Sequence, residues 1–294
     1  KSRILDIELT PNRPDCMSYL GVAREVSLLI NKKVKLPQIL NNFTKSNIKK
    51  LKISSDSLID CPRYSGVVVN DVNVSKSPNW LKDKLKKNNI QSINSIVDIS
   101  NLVLLEFGHP IHIFDLDKLE TKNINIRRAL SKEKFLTLDG NNRVLNKNNL
   151  LICDSKTPIA IAGVMGGKHT EVTESTKNIL IECAYFDPVC IRKSSKGLGL
   201  STDASKRFER GVDFDDHDKV INRTLSLIND LTEKSLSNIE ENDFYPQEIM
   251  LKEISFNKKK VSNQIGIELN DSFIKKTLIG LEINFSQKGD DYKC

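Results

Sequence analysis

A chain of 294 residues, 38% hydrophobic and 28% charged, is long enough for two or three domains with a buried core and too apolar to remain disordered. Its formal charge of +7 is compatible with a nucleic-acid partner, but lysine is spread along the whole chain, so charge alone decides little. No apolar stretch reaches the roughly 20 residues that a membrane-spanning helix needs, since the longest, 90–107, is broken by Ser92, Asn94, Asp98, Asn101 and Glu106. The six cysteines, at 16, 61, 153, 183, 190 and 294, form no CxxC pair. Spacing therefore predicts neither a zinc knuckle nor a disulfide framework, and reduced thiols in a cytoplasmic protein are expected. There is no signal peptide, and Lys1-Ser2-Arg3 runs directly into a strand-like pattern, so the chain is expected to begin inside a longer protein.

The alternation of Leu5, Ile7 and Leu9 with Asp6 and Glu8 predicts a half-buried strand over 4–9. A turn follows at 10–14, and Asp15 is placed to cap a helix reaching Ile30. Residues 31–50 are polar and patternless, which predicts a linker, and a boundary is expected near Asp60. The valine-rich run 64–74 reads as one or two strands. Ser77-Pro78 opens a helix through Lys87. A second helix, 94–107, is apolar nearly all round and should be buried, with Gly108 as its stop. Short strands are predicted at 111–114, 124–127, 135–138, 150–153, 159–162 and 179–183, with a hairpin turn at 139–142.

An amphipathic helix follows at 215–232 and a linker at 240–247. The tail reads as a strand at 251–256, a helix opened by Asn257 and stopped by Gly266, a helix capped by Asn270 or Asp271, and a strand at 283–285. Mixed helices and strands without βαβ alternation predict an α+β fold. The expected organisation is the end of a preceding α/β domain with linker (1–50), a mixed-sheet domain (60–235), and the start of a small helical winged-type domain (250–294).

Several residues are candidates for chemistry. His109 and His112, three apart in an extended segment, point to opposite faces, which argues against a shared metal. His112 between Ile111 and Ile113 needs a partner. Glycines in 163–167 allow a sharp turn and close approach of a ligand to the backbone, although a plain tight turn explains them equally. Glu182 in an apolar run must be paired, protonated or aimed at a ligand, unless it simply faces outward. The stretch 197–211 either binds an anionic polymer through Lys206, Arg207 and Arg210, or caps a helix with ion pairs among Asp203, Arg207, Glu209 and Arg210.

Four blocks together resemble one family. Gly108-His-Pro-Ile-His-Ile-Phe-Asp-Leu-Asp-Lys-Leu119, Ile161-Ala-Gly-Val-Met-Gly-Gly167, Leu180-Ile-Glu-Cys-Ala-Tyr-Phe186 and Ser201-Thr-Asp-Ala-Ser-Lys-Arg-Phe-Glu-Arg-Gly-Val-Asp213 are similar, in order and spacing, to the editing domain of the bacterial phenylalanyl-tRNA synthetase beta subunit. Residues 9–25 resemble the end of the domain before editing, and the tail from Leu251 resembles the start of the small domain after it.

That resemblance implies a heterotetramer of two alpha and two beta subunits that binds tRNA(Phe). The whole enzyme would use ATP and magnesium, but no cofactor or metal is expected in this part. It implies hydrolysis of mischarged Tyr-tRNA(Phe), with His112, Thr202 and Gly166 acting at the reacting ester and Glu182, Ala204 and Gly163 in the substrate pocket. Gln91 stands where many bacterial members have arginine, which puts one contact near the pocket in doubt. The rival reading is a non-catalytic scaffold that binds tRNA and the alpha subunit around an inactive pocket.

Overall fold

The computed structural model describes residues 4–46, 50–231 and 235–294. The chain separates into two compact units, one of Lys1–Tyr19 with Pro37–Gln247, the other of Leu20–Leu36 with Glu248–Cys294.

The larger unit is α+β and is built on two sheets. The first has the order β11 (Glu240–Phe244), β2 (Arg63–Val69), β10 (Ile179–Tyr185), β3 (Ile111–Asp115), all antiparallel. The second runs β1 (Lys52–Ser55), β4 (Asn123–Arg128), β7 (Leu150–Asp154), β8 (Thr157–Ile161), β9 (Met165–Gly166), with β1 parallel to β4 and the rest antiparallel. A hairpin of β5 (Glu133–Leu136) and β6 (Asn142–Leu145) completes the strands, its turn using Gly140 at φ +78°.

Strand alternation sorts the side chains of the first sheet into two cores. Tyr64, Val68, Phe114, Leu180 and Ala184 pack with Ile124, Ile126, Ile152 and Ile161 of the second sheet. Their neighbours in sequence, Val67, Val69, Ile113, Ile179, Ile181 and Cys183, pack against helices. Those helices are α2 (Asn79–Lys87), α3 (Ser95–Phe107) and α6 (His217–Leu231). Two further helices, α4 (Pro188–Leu198) and α5 (Asp203–Phe208), join the inter-sheet core through Ile191 and Phe208. The α3 boundaries follow from local chemistry. Asn94 accepts a hydrogen bond from the Val97 amide at 2.9 Å, and Gly108 closes the helix at φ +73°.

Four expectations are corrected. Residues 4–9 form no strand, and Leu5 is 83% exposed, because an alternating pattern becomes a strand only with a pairing partner. Asp15 caps no long helix. It lies in a short 3-10 turn, Pro14–Cys16, where it binds Arg13 at 2.7 Å, and α1 (Tyr19–Ile30) begins later. The supposed linker 240–247 contains β11, whose polar side chains suit a sheet edge: Asp243 pairs with Arg63 at 2.9 Å, and the Asn242 amide donates to the Leu51 carbonyl. In the tail, the strand expected at 251–256 shrinks to β12 (Ser255–Asn257), and that at 283–285 gives way to β13 (Ser286–Lys288) and β14 (Asp291–Lys293). Position 232, the expected end of the amphipathic helix, lies outside the described residues.

The smaller unit places β12, β14 and β13 in one sheet beside α7 (Lys258–Ile265) and α8 (Asp271–Gly280). Asn257 and Asn270 cap the two helices, and Gly266 ends α7 at φ +73°. Ile274 and Tyr292 are its buried apolar side chains among the described residues, with Tyr292 stacked on Phe256 at 5.1 Å.

Candidate functional site

β3 is an edge of the first sheet and β9 an edge of the second. Their approach puts the His112 ring against Gly166: an ideal Cβ on Gly166 would stand 2.5 Å from His112 Nε2 and 3.1 Å from Leu138 Cδ1. Only a residue without a side chain lets the ring lie there. Phe114 also packs edge to face with the ring, centroids 4.5 Å apart.

On the neighbouring strand, Glu182 is directly opposite His112 in the register and directly opposite Gly66 on β2. Glu182 is therefore on the inter-sheet face, not the outward one, and is only 5% exposed. Burial raises its pKa from an ordinary 4.5 to about 8, partly offset by the Tyr64 hydroxyl, which donates to Oε2 at 3.3 Å. The same burial drives His112 down to about 4. At neutral pH the site thus holds an uncharged imidazole beside a largely protonated carboxyl.

Thr202 is the N-cap of α5. Its hydroxyl accepts from the Ser205 amide at 3.1 Å and donates to the Val164 carbonyl at 3.0 Å. It ties the start of the helix to the glycine turn that leads into β9. Ala204, partly buried in the first turn of α5, packs against the inter-sheet core. Gly163, at φ +65°, stands apart from His112. A Cβ there would meet Ile191 and Phe208 at 3.0 Å and Phe186 at 3.2 Å, so this glycine serves the packing beneath the turn. The Gly167 amide is committed to the Ile159 carbonyl at 2.8 Å.

His112 thus lies against Gly166 and opposite Glu182 in the register, Thr202 and Ala204 lie on α5, which Thr202 ties to the glycine turn, and Gly163 faces the core side of that turn. In the 197–211 stretch the helix-capping alternative is realised, with Arg207 donating to the Asp203 carbonyl at 2.9 Å. Gln91 is exposed in the loop between α2 and α3. Tyr64 was not singled out by sequence reasoning. The available signal was a phenol in a strand buried along its whole length, where the hydroxyl requires a partner.

Residues 60–233 match the sequence model of the B3/4 domain. The chain belongs to the B3/4 domain family. Across almost its full length it is similar to proteins named phenylalanine–tRNA ligase beta subunit. It is 42% identical to that of Fusobacterium nucleatum over 98% of this chain and 36% of that protein. It is 40% identical to that of Carboxydothermus hydrogenoformans over 97% and 36%, and 38% identical to that of Thermotoga maritima over 99% and 36%. The chain spans about 36% of the length of these curated relatives. A solved N-terminal fragment of the phenylalanyl-tRNA synthetase beta-subunit from Pyrococcus horikoshii aligns with 96% of this chain and 78% of its own, at 19% identity and a TM-score of 0.43, a superposition too loose to bear on function.

Proposed function

We propose that this chain is part of the beta subunit of a cytoplasmic phenylalanine–tRNA ligase and that its inter-sheet cleft hydrolyses tyrosine wrongly attached to tRNA(Phe). The whole enzyme would pair this subunit with an alpha subunit in a heterotetramer of two of each. ATP and magnesium would serve the charging reaction outside this part of the chain. The names of relatives 38–42% identical over nearly the whole chain support the ligase assignment. The observation that carries the editing assignment is Glu182, buried opposite His112 and hydrogen-bonded by Tyr64 beside the side-chain-free Gly166.

The discrimination rests on one hydroxyl. An apolar pocket cannot strongly reject tyrosine when it is built for phenylalanine, whereas a pocket that hydrogen-bonds the phenol penalises phenylalanine by leaving a buried polar group unpaired. A largely neutral Glu182 both donates and accepts, so it receives the phenolic O–H without the cost of burying a charge. Partly buried Ala204 keeps the ring's space open.

In hydrolysis, the oxygen of a water adds to the ester carbonyl carbon and the ribose oxygen leaves with a proton, giving free tyrosine and uncharged tRNA. His112, uncharged at neutral pH, has the lone pair needed to take the water's proton. The Thr202 hydroxyl already has a donor and an acceptor, so its part is to hold the glycine turn in place. The test supplies the alpha–beta enzyme with Tyr-tRNA(Phe) and follows free tyrosine. Release by the wild type, and its loss in Ala204→Trp, are expected. A wild-type enzyme that charges tRNA yet releases no tyrosine contradicts the editing assignment and leaves a scaffold.

A further inference from the structure

The face of the first sheet opposite Glu182 carries a second polar cluster. Strand alternation turns Cys183 away from the inter-sheet cleft, and the register aligns it with Ser65, and Ser65 with Asp243. His217, the first residue of α6, and His109, just before β3, close over this row; they are 0% and 2% exposed, and Cys183 is 0% exposed.

The imidazole tautomers are assigned from the hydrogen-bond network. The Ser65 hydroxyl donates to Asp243 Oδ1 at 2.6 Å, so at 2.7 Å it accepts from His217 Nδ1–H, leaving the lone pair on Nε2. The Ala184 carbonyl only accepts, so His109 donates to it from Nε2 at 3.1 Å and keeps its lone pair on Nδ1. These two lone-pair nitrogens are buried without hydrogen-bond partners. One ring nitrogen of each histidine and Cys183 Sγ lie within 4.8 Å of one another. The Asp213 carbonyl also faces the His109 ring as an acceptor, without a hydrogen bond of ordinary geometry to Nδ1.

We propose that His109 Nδ1, His217 Nε2 and the Cys183 thiolate bind one zinc ion behind the strand that carries Glu182. Two neutral imidazoles and a thiolate are a donor set suited to zinc. The relay Asp243–Ser65–His217 and the carbonyl behind His109 are the outer contacts that orient ligating imidazoles. Zinc donors sit about 3.3–3.6 Å apart in a tetrahedron of ordinary bond lengths, so the three groups close in by about 1 Å. Binding forms a sulfur–zinc bond and releases the thiol proton. Arg63, the nearby cation, is neutralised by Asp243 at 2.9 Å.

The test strips the full chain with a chelator and adds zinc or cobalt(II) alone. One zinc per chain, a higher Tm with zinc, and a thiolate-to-cobalt charge-transfer band are expected, with the band absent in Cys183→Ser. Ser65→Ala keeps all three ligands, removes only the contact that orients His217, and should weaken zinc binding about 10- to 100-fold in chelator competition. A folded wild type, checked by circular dichroism, that shows no metal-dependent Tm and no charge-transfer band overturns the proposal. So does one-to-one zinc binding that persists undiminished in Cys183→Ser, or an ordered water alone between the two nitrogens in a crystal grown with zinc. None of these readouts depends on tyrosine release.

Discussion

At Gly166 a missing side chain does the positioning. Adding one methyl group would overlap the His112 ring at 2.5 Å, and that ring is also in edge-to-face contact with Phe114. Gly166→Ala is expected to displace the imidazole, to destabilise the fold by about 1–3 kcal/mol as overpacking does, and to lower tyrosine release at least tenfold. Denaturant melts and the release assay check the two effects separately. Glu182 makes a different prediction. Its folded-state pKa of about 8 lies above the ordinary 4.5, so the folded form holds a proton that the unfolded chain has lost between those values. Its contribution to stability is full below pH 4.5 and is lost as pH rises through 8. Glu182→Gln carries no such charge. The variant should gain on the wild type across that window by an amount on the order of a few kcal/mol, read from melts at a series of pH values. His112 works in the other direction. Depressed to about 4, it favours the fold above pH 6.5 and loses that contribution as pH falls through 4.

Elements were legible where local chemistry decides them. The α3 helix, with its Asn94 cap, apolar body and Gly108 stop, could be read almost to the residue. So could α7, from its Asn257 cap to its Gly266 stop, and the start of α8, placed at Asn270 or Asp271. Strand β11 was not, because its partners are distant: Arg63 and Ser65 hold Asp243 across about 180 residues of chain, and nothing in Glu-Glu-Asn-Asp-Phe alternates apolar with polar. Helix α5 has a sharper consequence. At six residues it is too short to stand on propensity alone, so the capping box of Thr202 and Ser205 matters to its position. Thr202→Ala should cost about 1 kcal/mol of stability and loosen the turn before β9, whereas Thr202→Ser should restore most of both. Hydrogen exchange at the Ser205 and Val164 amides, beside thermal melts, distinguishes the two variants.

At the scale of the whole molecule, the candidate site arises where edge strands of two sheets meet, His112 of β3 against Gly166 of β9. His112 and Glu182 are 70 residues apart in sequence and face each other through register alone. Sequence could nominate them, since polar side chains in apolar runs need a purpose, and the resemblance joined them into one site. It could not reveal that Tyr64 shares the Glu182 carboxyl, or that Gly163 and Gly166 serve different sides of one turn. It also could not assemble His109, Cys183 and His217, whose spacing matches no metal motif. Their proximity follows from the sheet's second face.

The central claim is that Glu182 reads the one hydroxyl separating tyrosine from phenylalanine. The most direct test measures hydrolysis of Tyr-tRNA(Phe) and of Phe-tRNA(Phe) by the wild-type and Glu182→Ala alpha–beta enzymes. The account predicts that the wild type strongly prefers the tyrosyl ester and that Glu182→Ala loses most of that preference while still folding. An unchanged preference in a folded Glu182→Ala enzyme would contradict it.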